Sequence, residues 1–151
     1  YITRLSKEEM TSRTSIILRS VLNVCNDLER IADIYYQLSI AMQKKSEENI
    51  YFLPEQREKI NAFTDLIDEA IKIMNENLSV NDYRNVKKYF AVKAEKKINQ
   101  HYDMMRAEHL VRLGQPDYNL KSAMVYNHIF QSLENIGDHV MNVTESLIGE
   151  I

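Results

Sequence analysis

Apolar residues recur in alternating steps of three and four along four long stretches of this chain. That spacing places apolar side chains on one face of an α-helix. Strand-like alternation is absent, and the breaks between the stretches are short and polar. Long helices joined by short turns favour an all-α fold, an antiparallel four-helix bundle. The first predicted helix is capped by Thr11 or Ser12 and ends near Lys45, and the second has Pro54 in its first turn and is followed by a turn at Asn77–Asn81. The third is capped by Asn81 or Asp82 and ends near Leu113–Gly114, and the fourth runs from about Leu120 to Leu147.

Each predicted helix carries an apolar stripe that we expect to face the core. The stripes of the first three helices are Val21, Val24, Leu28, Ile31, Tyr35, Leu38 and Met42; Ile60, Phe63, Ile67, Ala70, Met74 and Leu78; and Val86, Phe90, Ala94, Ile98, His101 and Met105. We expect Cys25 to be a small core residue. His128 and His139 are predicted on the outward side of helix four, and His109 near a helix end, where a cation suits the helix dipole.

Length and composition narrow the class of protein. A chain of 151 residues without an interior boundary predicts one domain, residues 1–151. The net charge of −3 gives no general attraction to nucleic acid, and no apolar run is long enough to span a bilayer. The single cysteine allows no intrachain disulfide. Because Tyr1 rather than methionine stands first, the chain fits either a removed tag or a soluble domain excised from a longer protein.

One short motif occurs twice in this sequence. Leu28-Glu29-Arg30-Ile31-Ala32-Asp33 and Leu133-Glu134-Asn135-Ile136-Gly137-Asp138 both have the form Leu-Glu-x-Ile-small-Asp, 105 positions apart. Residues four apart are neighbours on one helix face, so each copy presents two carboxylates side by side. A weaker third copy begins at Glu95 and has Asn99 in place of the second acid.

The paired acids have two interpretations. A single pair is most often part of a solvated helix face, and both copies could serve packing and salt bridges in a dimerising bundle. Two copies in matching contexts favour a metal site instead, since an acid beside an apolar seam needs a cationic partner. Counting residues around the turns places five acids near one level of the bundle: Asp33, Asp65, Asp68, Glu95 and Asp138. The candidate metal ligands are Glu29, Asp33, Glu95, Glu134 and Asp138.

Other chemistry has weaker support. Di-iron enzymes built on four-helix bundles use Glu-x-x-His, and the positions three after the two motif glutamates hold Ala32 and Gly137. A carboxylate-bridged metalloenzyme is therefore the third interpretation. A basic segment in the third predicted helix favours a solvated, salt-bridging helix over a docking patch for a membrane or an acidic partner. Its members are Arg84, Lys87, Lys88, Lys93, Lys96 and Lys97.

The two motif copies resemble the signature of the PhoU family of phosphate-transport regulators, which repeats Leu-Glu-Arg-Ile-Gly-Asp-His-Ala. The stretch from Val140 to Glu145 is similar to the ending of that signature. In the family, such motifs bind clusters of iron or other metals on the surface of a helical bundle. The resemblance implies metal binding by Glu29 and Asp33 and by Glu134 and Asp138, with iron, zinc or manganese as the metal.

The same resemblance implies a role for the whole chain. PhoU-like domains also form the cytoplasmic part of bacterial sodium/phosphate cotransporter-like membrane proteins. The chain is thus expected to be a non-enzymatic regulatory domain at the cytoplasmic face of the bacterial inner membrane. Its expected partners are its own transporter domain or a phosphate-transport or signalling protein, and a homodimer is a further expectation.

Overall fold

The four predicted helices are present in a computed structural model, which describes residues 12–80, 82–116 and 118–149. They are α1 (Ser12–Glu47), α2 (Pro54–Leu78), α3 (Lys88–Leu113) and α4 (Leu120–Ile148), with a short 3-10 turn at Tyr83–Asn85. The described ranges contain no strand. The all-α fold class is confirmed. None of the helices in these ranges is apolar enough over a sufficient length to cross a membrane.

Helix α4 is the centre of the bundle. It contacts each of the other three helices, and α2 and α3 also pack against one another, whereas α1 rests almost wholly on α4. The chain runs antiparallel from helix to helix, as the ion pair of 2.6 Å between Lys121 at the start of α4 and Glu48 just after α1 shows. The architecture is therefore a three-helix unit, α2–α4, with α1 laid along the outer side of α4.

The core lies mainly inside the three-helix unit. Its largest fully buried side chains include Phe63, Ile67, Ile98, Phe130 and Ile136. The apolar spacing that predicts α2 is the spacing of its buried residues from Phe63 to Met74. Helix α4 is the most buried of the four, because it has neighbours on several sides.

The start of the third helix differs from the prediction. Asn81 lies outside the described residues, and the Asp82 carboxylate accepts a hydrogen bond of 3.0 Å from the Arg84 amide, so it closes the 3-10 turn rather than capping α3. Helix α3 begins six residues later than Asp82, at Lys88, and Val86 is outside it. The buried Asn77 accepts a hydrogen bond of 2.8 Å from the Lys87 amide and so anchors this point of the chain to α2.

The predicted core stripe of α1 is only partly buried. Ile31 is buried, but Leu28, Tyr35 and Met42 are exposed, and so is Cys25, which the sequence analysis placed in the core. The physical reason is the position of the helix: a helix that touches one neighbour buries one narrow face. Thr11 lies outside the described residues, so the predicted cap of α1 is not tested there.

Candidate functional site

The second motif copy lies on α4 and faces α3. Glu134 and Asp138 stand two residues before and after the buried Ile136, and both lie near α3, since Asp103 acts electrostatically on Glu134 and Asp138 on Glu95. On α3, Glu95 is close enough to act on Asp138 electrostatically. Of the five predicted ligands, Asp138 therefore acts electrostatically on two others, Glu95 and Glu134, along the groove between α3 and α4.

Partial burial raises the pKa of three carboxyls in this groove, and neighbouring acids add to the rise at two of them. Partial burial raises the pKa of Glu95, and the negative charges of Asp138 and Glu145 raise it further. Burial likewise raises the pKa of Glu134, helped by Asp138 and Asp103. The pKa of Asp138 is also raised by burial, while the neighbouring His139 lowers it. Crowding of like charges at a partly dehydrated surface is the physical condition that a bound cation relieves.

Two acids of this groove were missed by the sequence analysis. Asp103 follows Glu95 by eight residues and Asn99 by four, and Glu145 follows Asp138 by seven, so both continue the same helix rows. That spacing was a usable signal. Both acids lie outside the repeated motif, which is why the motif alone does not point to them. We call Glu95, Asp103, Glu134, Asp138 and Glu145 the acidic groove.

The first motif copy is in a different environment. Glu29 and Asp33 flank the buried Ile31 at two residues on either side, so they project from the side of α1 away from α4, and both are exposed. In residues 12–80, 82–116 and 118–149, no three histidine, cysteine, aspartate or glutamate side chains are grouped so that they could hold a metal ion. The donor set of the acidic groove suits hard cations and iron, but its side chains do not converge. Metal binding by the five residues stays a prediction.

His139 differs from its predicted position, and His109 lies near the end of α3 as predicted but is buried. His139 does not point outward: its Nδ1 lies 2.8 Å from the Asp27 carboxylate, across the contact between α1 and α4. His109 is buried rather than solvated, with its Nδ1 3.1 Å from the hydroxyl of Tyr118, and burial lowers its pKa. His101 is half-buried and within 3.1 Å of the Lys59 carbonyl oxygen, close to its predicted role as a hydrogen-bonded core residue.

The basic segment forms salt bridges with the neighbouring helix, as the sequence analysis favoured. Lys87 pairs with Glu76 at 2.8 Å and Lys97 with Glu69 at 2.9 Å, which ties α3 to α2. Phe90, by contrast, was predicted to face the core and is exposed. The core-facing residues next to it are Ala91 and Ala94. Ala94, Ile98 and Met105 of the predicted stripe are buried, so only its first turn differs from the prediction.

Comparison with known proteins supports a PhoU-like family for this chain. It is 26% identical over 130 residues to the phosphate-specific transport system accessory protein PhoU homolog 1 of Thermotoga maritima. The match covers 85% of this chain and 54% of the relative, so the chain spans about half the length of that protein. No protein-family profile matches the chain, and no solved structure matches it significantly.

Proposed function

We propose that this chain is a regulatory, non-enzymatic domain that acts in phosphate transport. The observation that carries the proposal is the likeness, over most of the chain, to an accessory protein of a phosphate-specific transport system. The repeated Leu-Glu-x-Ile-small-Asp motif points to the same family from the residues alone. Since the chain spans about half of that relative, the partners and the activity of a whole protein are part of the proposal.

The proposed partner is a phosphate transporter or a phosphate-signalling protein at the cytoplasmic face of the bacterial inner membrane. Within this proposal the chain is the cytoplasmic domain of a sodium/phosphate cotransporter, an arrangement supported by its resemblance to such domains. The natural gene tests the fusion directly. Membrane-spanning segments encoded in the same reading frame upstream of Tyr1 would support it, and an initiator methionine close to Tyr1 would refute it.

The acidic groove is the proposed metal site, and Glu95, Glu134 and Asp138 are its proposed ligands. A bound iron, zinc or manganese ion would supply positive charge where burial raises the pKa of all three carboxyls and like charges raise that of Glu95 and Glu134 further. A ligand that binds only the folded state stabilises it by mass action. Protein purified without chelator should therefore contain stoichiometric metal, and metal should raise its melting temperature.

Matched variants separate metal binding from a general change of charge. Asp138→Asn should reduce the metal-induced rise in melting temperature, while Glu58→Gln, at an exposed position on α2, should leave it unchanged. Glu145 is unsuitable as this control because its charge already acts on Glu95. Asp33→Asn tests the first motif copy in the same assay. Metal-free protein whose melting curve does not respond to iron, zinc or manganese would leave the acids as packing and salt-bridge residues of a structural bundle.

Regulation itself is tested by phosphate uptake in cells. Replacing the natural gene by one that lacks the coding sequence for these residues should leave uptake insensitive to external phosphate. The Asp138→Asn gene should do the same to a smaller degree if the acidic groove carries the signal. Uptake that responds to phosphate normally after the deletion would contradict the proposed role.

A further inference from the structure

Buried hydrogen bonds join three segments of the chain at the end of the bundle where α3 turns into α4. The amide of Leu53, just before α2, donates to Oε1 of Gln56 at 2.9 Å. Nε2 of Gln56 donates at 2.9 Å to the hydroxyl of Tyr118, which lies in the turn between α3 and α4. That hydroxyl is 3.1 Å from Nδ1 of His109, near the end of α3, and both Gln56 and His109 are buried. We call these four residues the Tyr118 network.

The direction of every hydrogen bond in the Tyr118 network follows from the Leu53 amide, which can only donate. Oε1 of Gln56 must therefore face Leu53, and its Nε2, which also can only donate, faces the phenol. Because the Tyr118 oxygen accepts this bond, its own hydrogen is left to donate to Nδ1 of His109. The network is complete when Nδ1 carries no proton, which is the case in a neutral imidazole whose proton is on Nε2.

The groups that surround His109 in the described part of the chain offer no unpaired carboxylate to a protonated imidazole. The charged residues beside it come from α2 and α3 and form two ion pairs, each neutral overall: Lys59 with Glu108, and Arg112 with Glu55. Aromatic rings from the turn and from α4 have their centroids 5.7–6.0 Å from that of the imidazole: Tyr118, Tyr126 and Phe130. Burial raises the pKa of both tyrosines, so they are uncharged at neutral pH.

We infer that His109 is a pH-sensitive switch, which holds the turn between α3 and α4 against the start of α2 while it is neutral and releases the turn when it is protonated. A protonated Nδ1 donates, but the Tyr118 oxygen already accepts a hydrogen bond from Gln56. Two donors then compete for one oxygen, and the phenol hydrogen loses its acceptor. A cation buried among aromatic rings without a carboxylate is costly as well. In agreement, burial lowers the pKa of His109.

The turn is the part of the structure that can yield to this change. Gly114, Gln115 and Pro116 are exposed, so the turn is attached to α2 chiefly by the Tyr118 side chain. The ion pair of Arg112 with Glu55 lies nearby, but both side chains are partly solvated, and such pairs contribute little. Helix α4 keeps its own cap when the turn moves, because the Asn119 side chain accepts from the Ser122 amide at 3.0 Å. Release is therefore local to the turn.

Amide hydrogen exchange of this protein at pH 7.5 and 5.5 measures the release. The amides of Gln115 and Tyr118 report on the turn, since both are hydrogen-bonded within it. Each rate is divided by the intrinsic rate at the same pH to give a protection factor. Opening that lets a buried neutral histidine take up a proton at its ordinary pKa of about 6.5 becomes about 10-fold more favourable between these pH values. We expect the two protection factors to fall about 10-fold. The Lys87 amide, bonded to Asn77 at the other end of the bundle, should change by less than about 2-fold.

Three variants isolate the contribution of His109. His109→Asn offers an oxygen to the Tyr118 hydroxyl but cannot take up a proton, so the protection of the turn should no longer depend on pH. The matched control is His128→Asn, at an exposed position on α4, which should keep the 10-fold fall. Tyr118→Phe retains the ring and removes the hydroxyl. It should lower protection of the turn roughly 10-fold already at pH 7.5, the size expected from a lost buried hydrogen bond.

Four results would refute the switch. The first is a turn whose protection factors are equal at the two pH values. The second is a 10-fold fall that persists in His109→Asn. The third is a Lys87 amide that loses protection by the same factor as the turn, which would mean that the whole bundle opens. If His109→Asn does not fold, Tyr118→Phe still decides: natural protection of its turn at pH 7.5 would show that the network does not hold the turn.

Discussion

At Gly137 of α4 an added side chain would meet residues of both α2 and α3, so Gly137→Ala is a sharp test of this packing. An ideal Cβ at this position would lie 2.9 Å from Cγ2 and 3.1 Å from Cδ1 of Ile98, and 3.6 Å from Cδ1 of Ile67. Carbon atoms in favourable contact are separated by about 3.5–4.0 Å. The new methyl group would therefore overlap Ile98 by roughly half an ångström.

Two opposing effects set the magnitude. Replacing glycine by alanine inside a helix stabilises it by about 1 kcal/mol, because alanine loses less backbone entropy on folding. Ile98 is 1% exposed and Ile67 is fully buried, so neither side chain can move toward solvent to make room. Overpacking of such a core costs about 1–3 kcal/mol. We expect a net loss of stability of up to about 2 kcal/mol.

Urea denaturation followed by circular dichroism measures this loss. The matched control is Gly114→Ala: Gly114 has helical backbone angles, and its new Cβ would meet only the Val111 carbonyl oxygen, at 3.9 Å, so no loss is expected. Ile98→Ala should cost less in the Gly137→Ala background than in the natural sequence, because it removes the overlap. If Gly137→Ala stabilises the protein and its effect simply adds to that of Ile98→Ala, α3 does not press on α4 at Gly137.

Three further predictions concern burial and charge. In the 151-residue chain, Leu133→Ala should lower the free energy of unfolding by about 2–5 kcal/mol, because Leu133 is 5% exposed. Leu28→Ala should lower it by less than about 1 kcal/mol, because Leu28 is 37% exposed. Equal urea midpoints for the two variants would refute this difference. Because burial lowers the pKa of His109, the unfolded state takes up the proton first, and stability should fall as the pH drops below 6.5. His109→Phe should remove this pH dependence of stability in melts from about pH 7.5 to 5. The raised pKa of Asp138 means that its charged form destabilises the folded state. In chelator, Asp138→Asn should therefore stabilise the protein at neutral pH, and this gain should vanish as the pH falls through the folded-state pKa. A gain that persisted at low pH would exclude charge as its cause.

The existence of the four helices could be predicted from the sequence, because the spacing of apolar residues along the chain indicates each of them. Pro54 and Leu120 are the observed first residues of α2 and α4, and both helices show the three-four spacing along their buried faces. The start of α3 could not be predicted in this way. It depends on the side chain of Asn77, which accepts the Lys87 amide from a buried position on another helix. That contact is invisible to any count of residues along one helix.

The choice of core face on α1 also lay beyond the sequence. Leu28 and Ile31 are both apolar, and the motif gives each an equivalent on α4 that is buried. Burial on α1 depends on which neighbours are present, and α4 is its main neighbour in the described chain. A periodic pattern indicates that a helix has an apolar face, but the number of neighbouring helices determines how much of that face is buried. Cys25 was misplaced for the same reason.

The part of the candidate site that depends on residue spacing along the chain could be predicted from the sequence. A spacing of four residues predicted that Glu134 and Asp138 lie together, and counting around the last turn predicted Glu95 beside Asp138. Asp138 does raise the pKa of Glu95, which agrees with that register. The burial of His109 had no comparable signal. It results from the turn between α3 and α4, where the Tyr118 hydroxyl meets the imidazole.

In the repeated motif, the packing of the helices and the charge of the acids depend on one another. The isoleucine is buried, and the small residue after it lets a second helix approach to within contact of the α4 backbone at Gly137. That close approach of α3 is also what brings Glu95 within range of Asp138 and raises its pKa. A bulkier residue at the small position would separate the helices and relax the carboxylates together. The acids of α1 have the same local sequence but no α3 beside them, and so they remain solvated. The motif therefore supplies half of a charged groove, and a neighbouring helix supplies the other half.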